Sequence, residues 1–214
     1  MYGFDRWAVV GCCRDALRLE CRAMSDLAPQ PILPQAVSSK KLRARSDDRA
    51  LQQFSNSLFE KTLPVVTQFS SPRAWAFTLL GVNEYLRRFD GDRHVSQVRD
   101  HLAAELMRLF REVSTADWVW FEDILTYDNA KLPHALIISG AATDDQAMLA
   151  QGLSSLQWLV EQQIIGGRVS LIGNHGWLDR NGNRARFDQQ PIEAMATIEA
   201  CAAAYRITGE EAWY

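Results

Sequence analysis

From Arg49 onward, apolar residues recur every three or four positions, which is the spacing of helices that bury one face. In the run 94–112, Val95, Val98, Leu102, Leu106 and Leu109 form one such stripe. In 144–164, Met148, Leu149, Leu153, Leu156 and Leu159 form another. The pattern predicts helices over 49–62, 72–88, 94–112, 131–141, 144–164, 190–206 and 209–214. Residues 1–48 read differently. A helix is expected over about 5–24, followed by an extended linker over 26–48, where PQPILP removes backbone donors and interrupts helix. Two regions follow: a divergent N-terminal segment, 1–48, and a helical-hairpin domain, 49–214.

The helical part repeats. Three helices open on proline, at Pro72, Pro133 and Pro191. Proline suits a first helical turn because its missing N–H would have no partner there. The spacing gives a unit of about 60 residues: a helix, a short polar turn, a second helix and a long return loop. The short turns are FDGDRH, ATDDQ and ITGEE. The first helix of each pair is rich in small residues, as in AMATIEACAAAY, and suits burial among other helices. The second carries more charge. Inner and outer helices of a two-layered ring, or of a solenoid, have this signature. The expected fold is therefore all-α. In a ring, the long loops gather at one end, around the N-termini of the inner helices.

Those loops hold the candidate chemistry. WVWFEDILTYDNAKLP supplies Trp118, Trp120, Glu122, Tyr127, Asp128 and Asn129. SLIGNHGWLDRNGNRARFDQQPIE supplies Asn174, His175, Trp177, Asp188, Gln189, Gln190 and Glu193. A shorter loop, QFSSPRAW, adds Arg73. Indole faces stack on the C–H faces of a pyranose, and its hydroxyls make directional bonds with Asp, Asn, Gln and Arg, donating to carboxylate and amide oxygens and accepting from amide and guanidinium N–H groups. Asp128 and Asp188, with Glu122 in reserve, are the candidate acid and base of a glycoside-cleaving pair. The alternative is that Asp128 and Asp188 cap the helices that follow. His175 suits acid–base work in an epimerisation, or hydrogen bonding only. His134 opens an inner helix, and His94 and His101 lie on an outer one. Trp75 and Trp158 fall within helical periods and read as core, and filling the interior is the alternative for Trp118 and Trp120.

Two weaker motifs resolve locally. DRNGNRA places Gly182 at the wrong position for a calcium loop, and an Asn-Gly hairpin turn explains it better. Gly166-Gly167 reads as a helix end and loop, not a phosphate cradle.

The strings YDNAKLPHAL, GLSSLQWLVEQQ, SLIGNHGW and FDQQPIEAMATIEACAAAYRITGEEAW resemble the helical toroids of the six-hairpin glycosidase-like superfamily. The nearest likeness is to bacterial helical proteins described as glycosyltransferases, or found beside a glycosyltransferase domain. The resemblance covers residues 50–214 and implies part of an (α/α) toroid with its site at the long-loop end. It carries Trp118, Trp120, Glu122, Tyr127, Asp128 and Asn129 onto that rim, with Asn174, Trp177, Asp188, Gln189, Gln190 and Glu193. A closed ring of this kind takes about six hairpins, and roughly three and a half are legible here, so the chain is expected to be a fragment. Hydrolysis, epimerisation or transfer on a sugar is one implied activity. A non-catalytic glycan-binding or glycosyltransferase-accessory module is the other.

Composition narrows the field further. A net charge of −3 leaves no nucleic-acid footprint, and no run is apolar enough for a membrane helix. Cys12, Cys13, Cys21 and Cys201 lack zinc or disulfide spacing and suit free thiols in the cytoplasm. No cofactor or metal is expected. No βαβ alternation or glycine-rich turn suggests a nucleotide-sugar fold.

Overall fold

A computed structural model describes residues 49–214. The expected helix over 5–24 and the linker over 26–48 lie outside the described residues. The chain divides into two compact units, Met1–Leu102 and Ala103–Tyr214. The division falls inside a continuous helix.

The first unit holds α1 (Arg49–Val66), α2 (Pro72–Leu86) and the start of α3 (Arg93–Val113). Ser71 caps α2 through the Ala74 N–H, and Pro72 occupies its first turn. Both choices suit a helix start, where backbone donors have no internal partner. Phe59 of α1 stacks on Tyr85 of α2 with ring centroids 5.6 Å apart. Asp92 accepts from the Val95 N–H at 3.1 Å, so the FDGDRH turn ends in a cap for α3. Trp75 is buried, as its helical position predicts, and its Nε1–H donates to the Phe69 carbonyl at 2.6 Å.

The second unit is built on α4 (Lys131–Thr143), α5 (Gln146–Gln162) and α6 (Pro191–Thr208). Asp144 and Asp145 alone join α4 to α5. Asp144 ends α4 with φ 55°, and Asp145 caps α5 by accepting from the Met148 N–H at 2.9 Å. The two helices then run back antiparallel at very close range. A Cβ at Gly140 would lie 2.6 Å from the Leu149 nitrogen, and one at Gly152 would lie 2.8 Å from Ile137 Cγ1. Only glycine permits that approach. Gly209, at φ 72°, stops α6, so the helix expected over 209–214 is a single 3-10 turn, Glu211–Trp213.

Four two-residue strands complete the unit. β2 (Ile164–Ile165) and β3 (Arg168–Val169) form a hairpin straight after α5. Gly166 and Gly167 are its turn, at φ 58° and 73°, which is the chemistry of a two-residue hairpin rather than a helix cap. β1 (Ile124–Leu125) pairs antiparallel with β4 (Leu178–Asp179). Beyond β4 the chain reverses at Asn181-Gly182, with Leu178 bridged to Arg184 and Gly182 at φ 83°. The Asp179 carboxylate ties this turn together through Asn181 and Asn183. The turn expected from WLDRNGNRARF is therefore present. Among the described residues, no helix is long and apolar enough to cross a membrane.

Candidate functional site

The two long loops, 114–130 and 170–190, meet. β1 belongs to the first and β4 to the second, and their pairing joins the loops backbone to backbone. A second tie runs from α6. Glu193, in its first turn, accepts from the main-chain N–H groups of Asp128 and Asn129, and from Asn129 Nδ2 at 3.0 Å. A third pairs Lys131, at the start of α4, with Glu199 on α6. These contacts step forward along both helices together. α4 and α6 therefore run side by side with their N-termini at one end, where the loops lie.

Glu193 and Asp128 are the buried acids of this junction, at 2% and 0% relative exposure. Burial pushes the Glu193 carboxyl up to about 7, from an ordinary value of 4.5; the Asn129 amide opposes the shift and the nearby Asp128 adds to it. Asn129, also at 0% exposure, folds its own loop: its Oδ1 accepts from the Thr126 N–H at 3.0 Å and its Nδ2 donates to the Thr126 carbonyl at 3.2 Å. Tyr127 is half-buried between them in sequence.

Neither aspartate caps the helix that follows. The N-caps are Ala130 and Gln190, and neither makes a side-chain cap bond. Both aspartates instead sit in the left-handed region, Asp128 at φ 53° and Asp188 at φ 61°. That conformation turns the chain sharply into the helix, and Asp tolerates it better than most residues. Trp177 shares it at φ 55°, which is a true outlier for so bulky a side chain.

The second loop presents the exposed groups. The Trp177 indole N–H donates to Asn174 Oδ1 at 3.0 Å, and the Asn174 N–H donates to the Asp188 carbonyl at 3.0 Å. Trp177, half-buried, and Asp188, exposed, thus share one platform with Asn174, and the exposed His175 lies on the same turn. Gln189 braces it, accepting from the Leu171 N–H at 3.1 Å and donating to the Arg186 carbonyl at 3.1 Å. Gln190 accepts from the Glu193 N–H at 3.1 Å as α6 begins.

Trp118 and Trp120 are covered. Both pack against Trp158, at 5.0 and 5.9 Å between ring centroids, and Trp120 also meets Phe121 at 5.4 Å. Their relative exposures are 7% and 0%. They fill the interior, and the accessible indole of these loops is Trp177. The Trp118 Nε1–H donates to the Glu122 carbonyl at 2.7 Å, which shapes the loop around the half-buried Glu122. The Arg180 guanidinium lies 5.6 Å over the Trp118 ring and bonds Asp123 at 2.8 Å. Arg73 is a buried residue of α2 in the first unit.

The sequence reading missed the Lys131–Glu199 pair and the use of Glu193 as a tie. An acid in the first turn of a helix is ordinarily read as serving its own helix dipole. Nothing local shows that it reaches back 65 residues to another loop. No protein-family model matches the chain, and no curated protein or solved structure is similar to it.

Proposed function

We propose that this chain is a carbohydrate-active helical domain, part of an (α/α) toroid, that binds or processes a glycan at its long-loop end. The observation that carries the reading is the left-handed backbone of Asp128, Trp177 and Asp188 in two converging loops. Strained backbone is retained where the fold over-determines it, commonly where side chains must be aimed at a ligand. Trp177 supplies the stacking face, and Asp188, Asn174, His175 and Gln189 supply the polar groups a sugar edge needs. In the hydrolytic form, Asp188 is the base and Asp128 or Glu122 the acid. Free thiols favour the cytoplasm as its compartment.

A second reading is supported by the complete burial of Asp128 and by Glu193 being bonded to three N–H donors. Groups so engaged serve the loop frame, and the chain is then a glycan-binding or accessory module of a glycosyltransferase. Glycan-array binding and turnover, measured on wild type, Trp177→Ala and Asp188→Asn, separate the two. Turnover lost in Asp188→Asn with binding kept supports the enzyme. Binding lost in Trp177→Ala, with no turnover in any form, supports the module. Glycan binding that ignores both substitutions removes this platform from consideration.

A further inference from the structure

The Glu193 contact has a chemistry independent of any ligand. Its carboxylate is nearly inaccessible, and every bond it accepts comes from a neutral donor: the N–H of Asp128, the N–H of Asn129 and the Asn129 side-chain amide. Among the described residues no cation bonds it. Charged groups stand on the elements packed with α6: Asp128 in the loop, Lys131 and His134 on α4, Glu199 further along α6 and Glu161 on α5, whereas Glu211, after the last turn of α6, lies at the opposite end of that helix from Glu193. Glu161 and Glu211 are exposed, and Lys131 is held by Glu199. Asp128, a second buried carboxylate, is the charge that acts on Glu193.

We propose that Glu193 is a positioning residue and a pH-operated latch, which clamps the Tyr127–Ala130 turn to α6 in acid and loosens it as pH rises. The direction follows from desolvation. An ionised Glu193 in the closed position is deprived of water and faces Asp128, whereas in the loosened loop it is hydrated. Protons therefore bind the closed form more tightly, and acid favours closure. The turn it clamps is held in a left-handed conformation at Asp128, so its release has somewhere to go. The carboxyl's rise from 4.5 to about 7 places the change between those values, and the latch levels off above them.

Amide hydrogen exchange of the whole chain, corrected for intrinsic rates, reads the latch directly. Protection of the Asp128 and Asn129 amides is expected to be at least about tenfold greater at pH 5 than at pH 8, within an upper bound of about 70-fold over that interval. Glu193→Gln makes the profile flat, and Asp128→Asn makes it shallower. A flat profile in the wild type, or the same slope in Glu193→Gln, overturns the proposal. If Glu193→Gln does not fold, carboxyl 13C titration of wild type against Asp128→Asn decides. A Glu193 signal titrating near neutrality in the wild type, and lower in Asp128→Asn, supports the latch; one titrating near the ordinary 4.5 overturns it. No ligand enters these readouts, so a failed glycan screen leaves the latch intact, and a flat profile leaves the glycan reading intact.

Discussion

Asp188 is an exposed residue whose left-handed backbone is the decisive feature. Replace it with glycine, alanine and asparagine. Its side chain makes no hydrogen bond among the described residues, and its carbonyl accepts from the Asn174 N–H at 3.0 Å. All three substitutions preserve that backbone bond if φ stays near 61°. An L residue in this region costs roughly 1–2 kcal/mol, with Asp at the low end. Glycine lifts the cost but enlarges the unfolded ensemble by about 0.4–1 kcal/mol. Asp188→Gly should therefore gain roughly 0.5 kcal/mol. Asn tolerates the conformation as Asp does and should be neutral to within about 0.5 kcal/mol. Asp188→Ala keeps the strain without the local polar side chain and should fall about 1 kcal/mol below Asp188→Gly. Urea unfolding of the whole chain measures all three. An alanine form as stable as the glycine form would show that the fold does not impose this conformation, and the argument from strain to function would collapse with it. Binding supplies the other half of the test. If Asp188 meets a glycan, the stabilised glycine form is also the one that binds worse, as is the neutral asparagine form.

Four further outcomes follow from the same geometry. Stability should fall as pH rises from about 4.5 to about 7, because the folded chain keeps a proton on Glu193 that the unfolded chain has released; the upper bound is about 3 kcal/mol, read by denaturant melts at pH 5 and pH 8 with Glu193→Gln as the flat control. Gly152→Ala should destabilise by about 1–2 kcal/mol in the same melts, because overpacking against Ile137 outweighs the helix-propensity gain, whereas Gly91→Ala, with nothing within 4 Å, should be near neutral. Asp145→Ala should cost about 1 kcal/mol through the lost cap on α5. Trp120→Ala should cost about 3–5 kcal/mol, while Trp177→Ala should change stability by less than about 1 kcal/mol and show its effect in glycan binding.

The helices were legible because each carries many periodic positions and a punctuated start. The predicted spans over 72–88, 94–112, 131–141 and 190–206 match observed helices within a few residues at each end. Pro72 and Pro191 in first turns, Asp145 as a cap and Gly209 as a stop are local signals with local causes. The four strands were missed for the converse reason. A two-residue strand has no period, and β1–β4 pairs residues more than fifty positions apart. The site divides the same way. That the acids and tryptophans lie in long loops could be read from the chain. Which of them face water could not, since Trp118 and Trp177 have similar polar surroundings in sequence but only Trp118 meets Trp158.

The sequence contexts of Asp128 and Asp188 are alike: an aromatic residue before, an amide after, a proline-opened or proline-bearing helix next. Their backbones are alike as well, both left-handed just before a helix. Their environments differ, and among the described residues one side chain marks the difference. Glu193 reaches across from α6 to the N–H groups of the Asp128 turn, drawing it against the parallel helix and sealing it. No carboxylate does this for Asp188 among the described residues; Asn174 holds it by the carbonyl instead and leaves its carboxylate in water. Two similar turns thus differ: a cross-helix contact ties one to α6, while the other keeps an accessible acid on the platform that Asn174 shares with Trp177. A reading that assigned both aspartates equal roles from their matching motifs would miss this. On the proposed glycan reading, chemistry would fall first to Asp188, and Asp128 would reach a ligand only if its tie to Glu193 opened.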